Sequence, residues 1–131
     1  MTETSEPRGS LTLRTVAMPA DVNVNGDIFG GWVLSQMDIA GGILAIEQAR
    51  GRVATVAVNE MTFVRPVKVG DVLCVHTWIE RVGRTSIAIG LEAWARRQIT
   101  GEREKVTEGV FTYVAIDADG RPRPVKQQGQ G

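Results

Sequence analysis

Residues 29–50 read as one long helix that is apolar nearly all round until Glu47. At 1.5 Å per residue it would be about 30 Å long. A helix with no polar face has to be covered on most sides. Four glycines (Gly30, Gly31, Gly41 and Gly42) fall within it, and each costs about 1 kcal/mol against alanine in a helix interior. Something must therefore approach the helix backbone closely. Asp27 is the expected N-cap and Gly51 the expected C′ residue.

On either side of the helix the hydrophobic period is two. Residues 11–18 alternate as a strand that Pro19 ends, and 20–27 form a loop in which Asn25-Gly26 is a strong turn signal. Four more strands follow: 53–64, stopped by Pro66; 72–82, ending at Gly83-Arg84; 85–96; and 105–116. Successive strands with short connections predict an antiparallel sheet in an α+β chain. A flat sheet covers only one face of a helix, so this sheet must curl around it or a second subunit must cover the rest. Trp32, Trp78 and Trp94 are candidates for part of that cover.

The chain has 131 residues, 43% of them hydrophobic, which is one domain with material for a packed core. Lys+Arg and Asp+Glu are 15 each, so the basic footprint of a nucleic-acid binder is missing, as is a polybasic membrane anchor. Polar residues interrupt the apolar run 28–46, which is not a membrane span. The first ten residues lack a signal peptide's apolar stretch. These readings point to a soluble, cytoplasmic protein with one domain over 11–125 and mobile tails at 1–10 and 126–131. The single Cys74 and single His76 exclude an intrachain disulfide framework and a Cys- and His-rich zinc site. No metal is expected.

Asp38 is the residue that demands explanation. It sits about two turns into the apolar helix between Met37 and Ile39, with no arginine at helical spacing. A buried carboxylate is costly unless paired or hydrogen-bonded, and burial raises a carboxyl's pKa toward general-base use. Asp38 either faces a solvated groove or caps a neighbouring loop, or it is a catalytic carboxylate in a cleft.

Three further features can carry chemistry. The run from Asn23 to Gly31 leads into a helix start whose free N–H groups can polarise a carbonyl, with Gly30 and Gly31 easing a ligand's approach. The same glycines suit an ordinary helix start against a close strand. Cys74 and His76 share one face of a strand, as a nucleophile–base pair or as plain packing. Gly83, Arg84, Thr85 and Ser86 form either a phosphate-holding loop or a hairpin turn.

Together, the run from Asn23 through Asp38 to Gly41, the segments 53–58 and 61–71, Val82 to Ser86, and 110–117 resemble hotdog-fold acyl-CoA thioesterases, and among them the bacterial YciA-type branch. The resemblance covers residues 11–125. It implies a curved antiparallel sheet of five to six strands wrapped around one central helix. It also implies a homo-oligomer built from dimers, a trimer of dimers in that branch, hydrolysing acyl-CoA to CoA and free acid. Asp38 would be the catalytic carboxylate. Asn23, from the other subunit, would help position water or substrate. The amides around Gly30 and Gly31 would polarise the thioester carbonyl. The turn Gly83, Arg84, Thr85, Ser86, with nearby basic residues such as Arg65, would hold the phosphate-bearing end of CoA. Relatives often carry an acidic residue one position before Asn59-Glu60, so neither of these is given a catalytic role.

The chemistry suits these groups. A thioester is an activated acyl donor that needs no metal or further cofactor, and a carboxylate can serve as general base on water or attack directly to give an anhydride. Two other functions are compatible with the fold. A hydroxyacyl-thioester dehydratase would need His76 to supply its base, and an acyl-CoA-binding oligomer would bind without turnover.

Overall fold

The computed structural model describes residues 6–59 and 61–125. Five strands and one long helix follow in the order β1 (Ser10–Val16), α1 (Gly30–Ala49), β2 (Val53–Val58), β3 (Val72–Val82), β4 (Ser86–Arg96) and β5 (Arg103–Ala115), with a 3₁₀ turn at Pro19–Asp21. The strands form one sheet in the order β1-β3-β4-β5-β2, and every pairing is antiparallel. The helix packs against all five strands. Alternation places Leu73, Val75, Ile87, Ile89, Leu91, Phe111 and Tyr113 on the helix side, all buried. Residues 1–5, Glu60 and 126–131 lie outside the described residues, as does most of what was read as tails. Arg8, in the amino-terminal segment, sits over the Trp78 ring at 4.2 Å and donates its backbone N–H to Glu92.

Both ends of α1 differ from the sequence expectation. Asp27 is not the N-cap; Phe29 is, with no side-chain cap. Ile28 is held extended by a bridge to Val22 and by donating to the Val67 carbonyl at 2.9 Å, which delays the helix start. Asp27 instead pairs with Lys68. At the other end Arg50, at φ 56°, takes the left-handed position expected of Gly51. Gly51 has a different reason to be glycine: a Cβ there would lie 2.6 Å from Nη2 of Arg123. That guanidinium donates to the Ala49 carbonyl at 3.0 Å, supplying a cation and a donor where the helix exposes free carbonyls.

The helix is also less covered than its composition predicts. Val33, Met37, Ala40, Gly41, Ala45 and Ala49 are buried, but Ile39, Ile43 and Ile46 are 50%, 41% and 48% exposed and fall at helical spacing on one stripe. Two tryptophans expected to help lie on the opposite face of the sheet. Trp78 covers Gly90, where a Cβ would come within 2.4 Å of its ring, and Trp94 donates its indole N–H to Glu92.

The strand expected over 53–64 stops at Val58. The chain still tracks β5, with Asn59 donating to Val110 and Val64 to Val106. Five residue steps on one side span four on the other, so the ladder breaks there. Thr107 hydroxyl bridges the irregular stretch by donating to the Thr62 carbonyl.

The outer face of the sheet carries Cys74 and His76. Burial pushes the Cys74 thiol up, away from the reactive thiolate. Burial also lowers the His76 pKa against the opposing pull of Glu92, its cross-strand neighbour, and Nδ1 of His76 is buried without a hydrogen-bond partner among the described residues. The pair therefore holds a thiol and a neutral imidazole, an inert combination. The linkage has a definite sign: the unfolded chain takes a proton on this side chain at a higher pH than the folded chain. Stability is unaffected by it above the ordinary value of 6.5 and falls as pH drops from there toward the lowered folded value. Denaturant midpoints measured across that window are expected to decline in the wild type, and a neutral His76→Gln variant is expected to lack that part of the slope.

Candidate active site

Asp38 is half-buried on α1, not sunk in the core. Its side chain points over the junction of β2 and β5. There Thr55 and Tyr113 are directly opposite in the antiparallel register, which brings neighbouring side chains to within about 5 Å at the Cβ atoms. Thr55 Oγ1 donates to Asp38 Oδ1 at 2.8 Å, and Tyr113 Oη reaches the same oxygen at 2.9 Å. Tyr113 Oη also lies 3.0 Å from the Asp38 backbone carbonyl. Burial and the adjacent carboxylate push the Tyr113 phenol far up, so the hydroxyl stays protonated and remains a donor. A carboxylate held this way is compatible with proton abstraction or nucleophilic attack.

The loop before the helix is tied by Asn23. Its Oδ1 accepts from the backbone N–H of Asn25 at 2.8 Å and of Asp27 at 3.1 Å, and its own N–H donates to the Asp27 carbonyl at 2.7 Å. Gly26, at φ 85°, closes the turn. This side-chain carbonyl is spent on the loop, so the Asn23 group available to a ligand is its NH₂. Gly30 and Gly31 open the helix and are exposed. Their amides precede the first intrahelical donors, and a Cβ at Gly31 would meet nothing within 4 Å. Asn23, Gly30 and Gly31 thus form one unit. Asp38 is eight residues further on, about 12 Å along the helix axis.

Beside that unit is a cavity of about 290 Å³ lined by Ile28, Gly30, Val33, Phe63, Val67 and Val106 among others. Every lining side chain except Arg65 is apolar. Phe63 faces Gly30, where a Cβ would lie 3.5 Å from the ring. In the sequence Phe63 falls inside the strand expected over 53–64 and carries no mark of a site residue; the structure places it in the irregular stretch after β2. A larger concavity of about 900 Å³ lies along β5 and the outer face, between Trp78, Trp94, Glu92 and Lys105. Its charges largely pair with each other, as in Lys105 with Glu92 and Glu108, and it touches neither Asp38 nor the helix start.

Gly83, Arg84, Thr85 and Ser86 form the β3–β4 turn, closed by Gly83 N–H donating to the Ser86 carbonyl at 2.8 Å. The carbonyls of Arg84 and Thr85 accept from Val125 and Ala115; Arg84 is exposed, and Thr85 and Ser86 are half-buried. Arg81 is a nearby cation that the motif did not include: its Nη1 lies 3.8 Å from where a Gly83 Cβ would be. Arg65 is not near this turn. It pairs with Glu104 at 3.7 Å, whereas Ser86 pairs with Val114, ten residues along β5 and about 33 Å away. The sole histidine, His76, is on the other face of the sheet from Asp38. Among the described residues no group of three His, Cys, Asp or Glu is placed to hold a metal ion, and no helix is long and apolar enough to cross a membrane.

Known proteins are similar to this chain in sequence and fold. The family model of the thioesterase superfamily matches residues 25–102. The acyl-CoA thioester hydrolase YciA of Salmonella typhimurium is 57% identical over 126 residues, covering 94% of this chain and 95% of that protein. A crystal structure of a hexameric broad-specificity acyl-coenzyme A thioesterase superposes with a TM-score of 0.90 at 51% identity, over 95% of this chain and 86% of that one. A hexameric hotdog-fold thioesterase of Campylobacter jejuni gives a TM-score of 0.85 at 40% identity, over 90% and 91% of the two chains. With the family model, the relatives and the fold in agreement, the chain belongs to the thioesterase superfamily, in its hotdog-fold, YciA-like branch.

Proposed function

We propose that the protein hydrolyses acyl-CoA thioesters to coenzyme A and free carboxylic acid in a homo-oligomer, with Asp38 as general base. The observation that carries this reading is the anchored, half-buried Asp38 carboxylate about 12 Å from the amides of its own helix start. One thioester carbonyl cannot touch both groups within a protomer. A second copy supplies the helix start, and Asn23 comes with it because the turn fixes the two together. Two features favour such a copy: the exposed stripe Ile39, Ile43, Ile46, and β2, an uncharged edge strand with Val56 and Val58 exposed. An open edge of this kind invites pairing. A trimer of dimers extends the same arrangement, in keeping with the hexameric state named for the relatives.

In this mechanism a water between Asp38 and the carbonyl carbon gives its proton to the carboxylate as its oxygen bonds to that carbon. The carbonyl's electron pair moves onto oxygen, where the Gly30 and Gly31 amides of the second copy stabilise it. Collapse breaks the C–S bond, and the departing thiolate takes the proton back from Asp38. A general base fits better than an anhydride because it requires only that water between the carboxylate and the substrate. The acyl chain enters the apolar cavity beside the helix start, with Phe63 as its wall. The Gly83–Ser86 turn, with Arg81 and Arg84, holds the phosphate-bearing end of CoA. Arg65 is too far along β5 to share that end within one protomer.

Three experiments test this. Asp38→Asn is expected to lower turnover of an acyl-CoA panel by about 10²–10⁴-fold in a thiol-release assay, with CoA binding by calorimetry kept; near-normal turnover would remove Asp38 from the mechanism. Co-assembly of inactive Asp38→Asn chains with inactive Gly31→Pro chains is expected to restore part of the activity, since some sites then combine two intact halves. Activity that stays at zero in confirmed mixed oligomers would place both halves in one chain. Phe63→Ala is expected to raise kcat/KM for longer acyl chains relative to acetyl-CoA by about tenfold or more, the size of effect a few methylenes can make in an apolar pocket.

A further inference from the structure

We propose that Thr55 and Tyr113 are positioning residues that fix the Asp38 carboxylate through Oδ1 alone and so make Oδ2 the oxygen that takes the proton from water. This rests on the reading of Asp38 as the base.

Two donors from different strands converge on one carboxylate oxygen, at 2.8 Å from Thr55 and 2.9 Å from Tyr113. No described residue donates to Oδ2. A carboxylate oxygen accepts two hydrogen bonds comfortably, so the lone pairs of Oδ1 are engaged, one by Thr55 and one by the Tyr113 proton that it shares with the Asp38 carbonyl. Oδ2 keeps its own free. The two contacts together set the rotation of the carboxylate plane, which a single contact would leave loose. Orientation at this level decides rate, because a misplacement of about 1 Å can cost about 10²-fold.

The Tyr113 hydroxyl is itself held. It touches the Asp38 carbonyl at 3.0 Å as well as the side chain, so its position is referred to the helix backbone and not only to the carboxylate. That approach is possible only because residue 41 is glycine: a Cβ there would lie 2.3 Å from the hydroxyl and 3.1 Å from two ring carbons. Gly41 has an ordinary helical backbone, without positive φ, so conformational freedom does not explain it. The space it leaves for the phenol does. The helix thus carries a costly glycine three residues after its carboxylate, on the side where the hydroxyl must pass.

A purely structural role would tie β5 to α1 and nothing more, and the two roles separate experimentally. Tyr113→Phe keeps the ring, and Thr55→Val keeps the shape at an exposed position, so folding and oligomer size can be held constant and checked by chromatography and melting. Each is expected to lower kcat by about tenfold to a hundredfold with KM for acyl-CoA within about twofold, and Thr55→Ser to restore kcat. In the Asp38→Asn background, adding Tyr113→Phe is expected to leave the residual rate unchanged, since no base remains to be aimed. Gly41→Ala is expected to depress kcat in the wild type and to cost markedly less with Phe at 113. Unchanged kcat in both Tyr113→Phe and Thr55→Val, with Asp38→Asn inactive, overturns the proposal while leaving Asp38 as the base. An active Asp38→Asn enzyme overturns both.

Discussion

The contact between the Tyr113 hydroxyl and the helix at Asp38 organises the rest of the structure. It joins β5, the longest strand among the described residues, to α1 at a polar point. A buried phenol without a partner would cost about 1–3 kcal/mol; here it is satisfied by the carbonyl and the carboxylate together. The same contact gives the carboxylate a reason to sit at this depth. Thr55 completes it because the β2–β5 register sets its side chain beside that of Tyr113.

The second constraint is incompleteness. The sheet has an apolar edge at β2, and the helix has an uncovered stripe of three isoleucines. Burying an isoleucine from full exposure is worth about 1.5–3 kcal/mol, so covering the remaining half of each of these side chains adds about 1 kcal/mol, and the open surface as a whole favours association. The proposed catalytic groups follow the same logic, being divided between the middle of the helix and its start. Packing and chemistry therefore call for the same partner, a second copy.

Much of this was legible in the sequence, for identifiable reasons. The strand expected over 72–82 matches β3 because its period is two and the turn signal Gly83-Arg84 marks its end. Asp38 stood out because a lone carboxylate in an apolar run has few innocent explanations. The glycine at 41 implied a close approach to the helix, and that approach is by Tyr113, which the sequence could not name because it depends on which strand lies against which turn of helix. The helix cap was misplaced because the Val22–Ile28 bridge is a tertiary contact that overrides local preference. Phe63 and Arg81 were missed for a related reason: one falls inside the strand expected over 53–64 without the mark of a site residue, the other just before the motif that drew attention. Arg65 was grouped with the β3–β4 turn by charge, although the length of β5 separates them.

The end of the described chain carries a consequence of its own. Arg123 holds the last carbonyl of α1, and two residues later Val125, buried, clips its backbone to Arg84 in the β3–β4 turn. Three residues thus buckle the tail of the helix to the hairpin proposed to grip the substrate's phosphates. Loss of the Val125 contact would loosen the hairpin, and loss of Arg123 with it would fray the end of the helix.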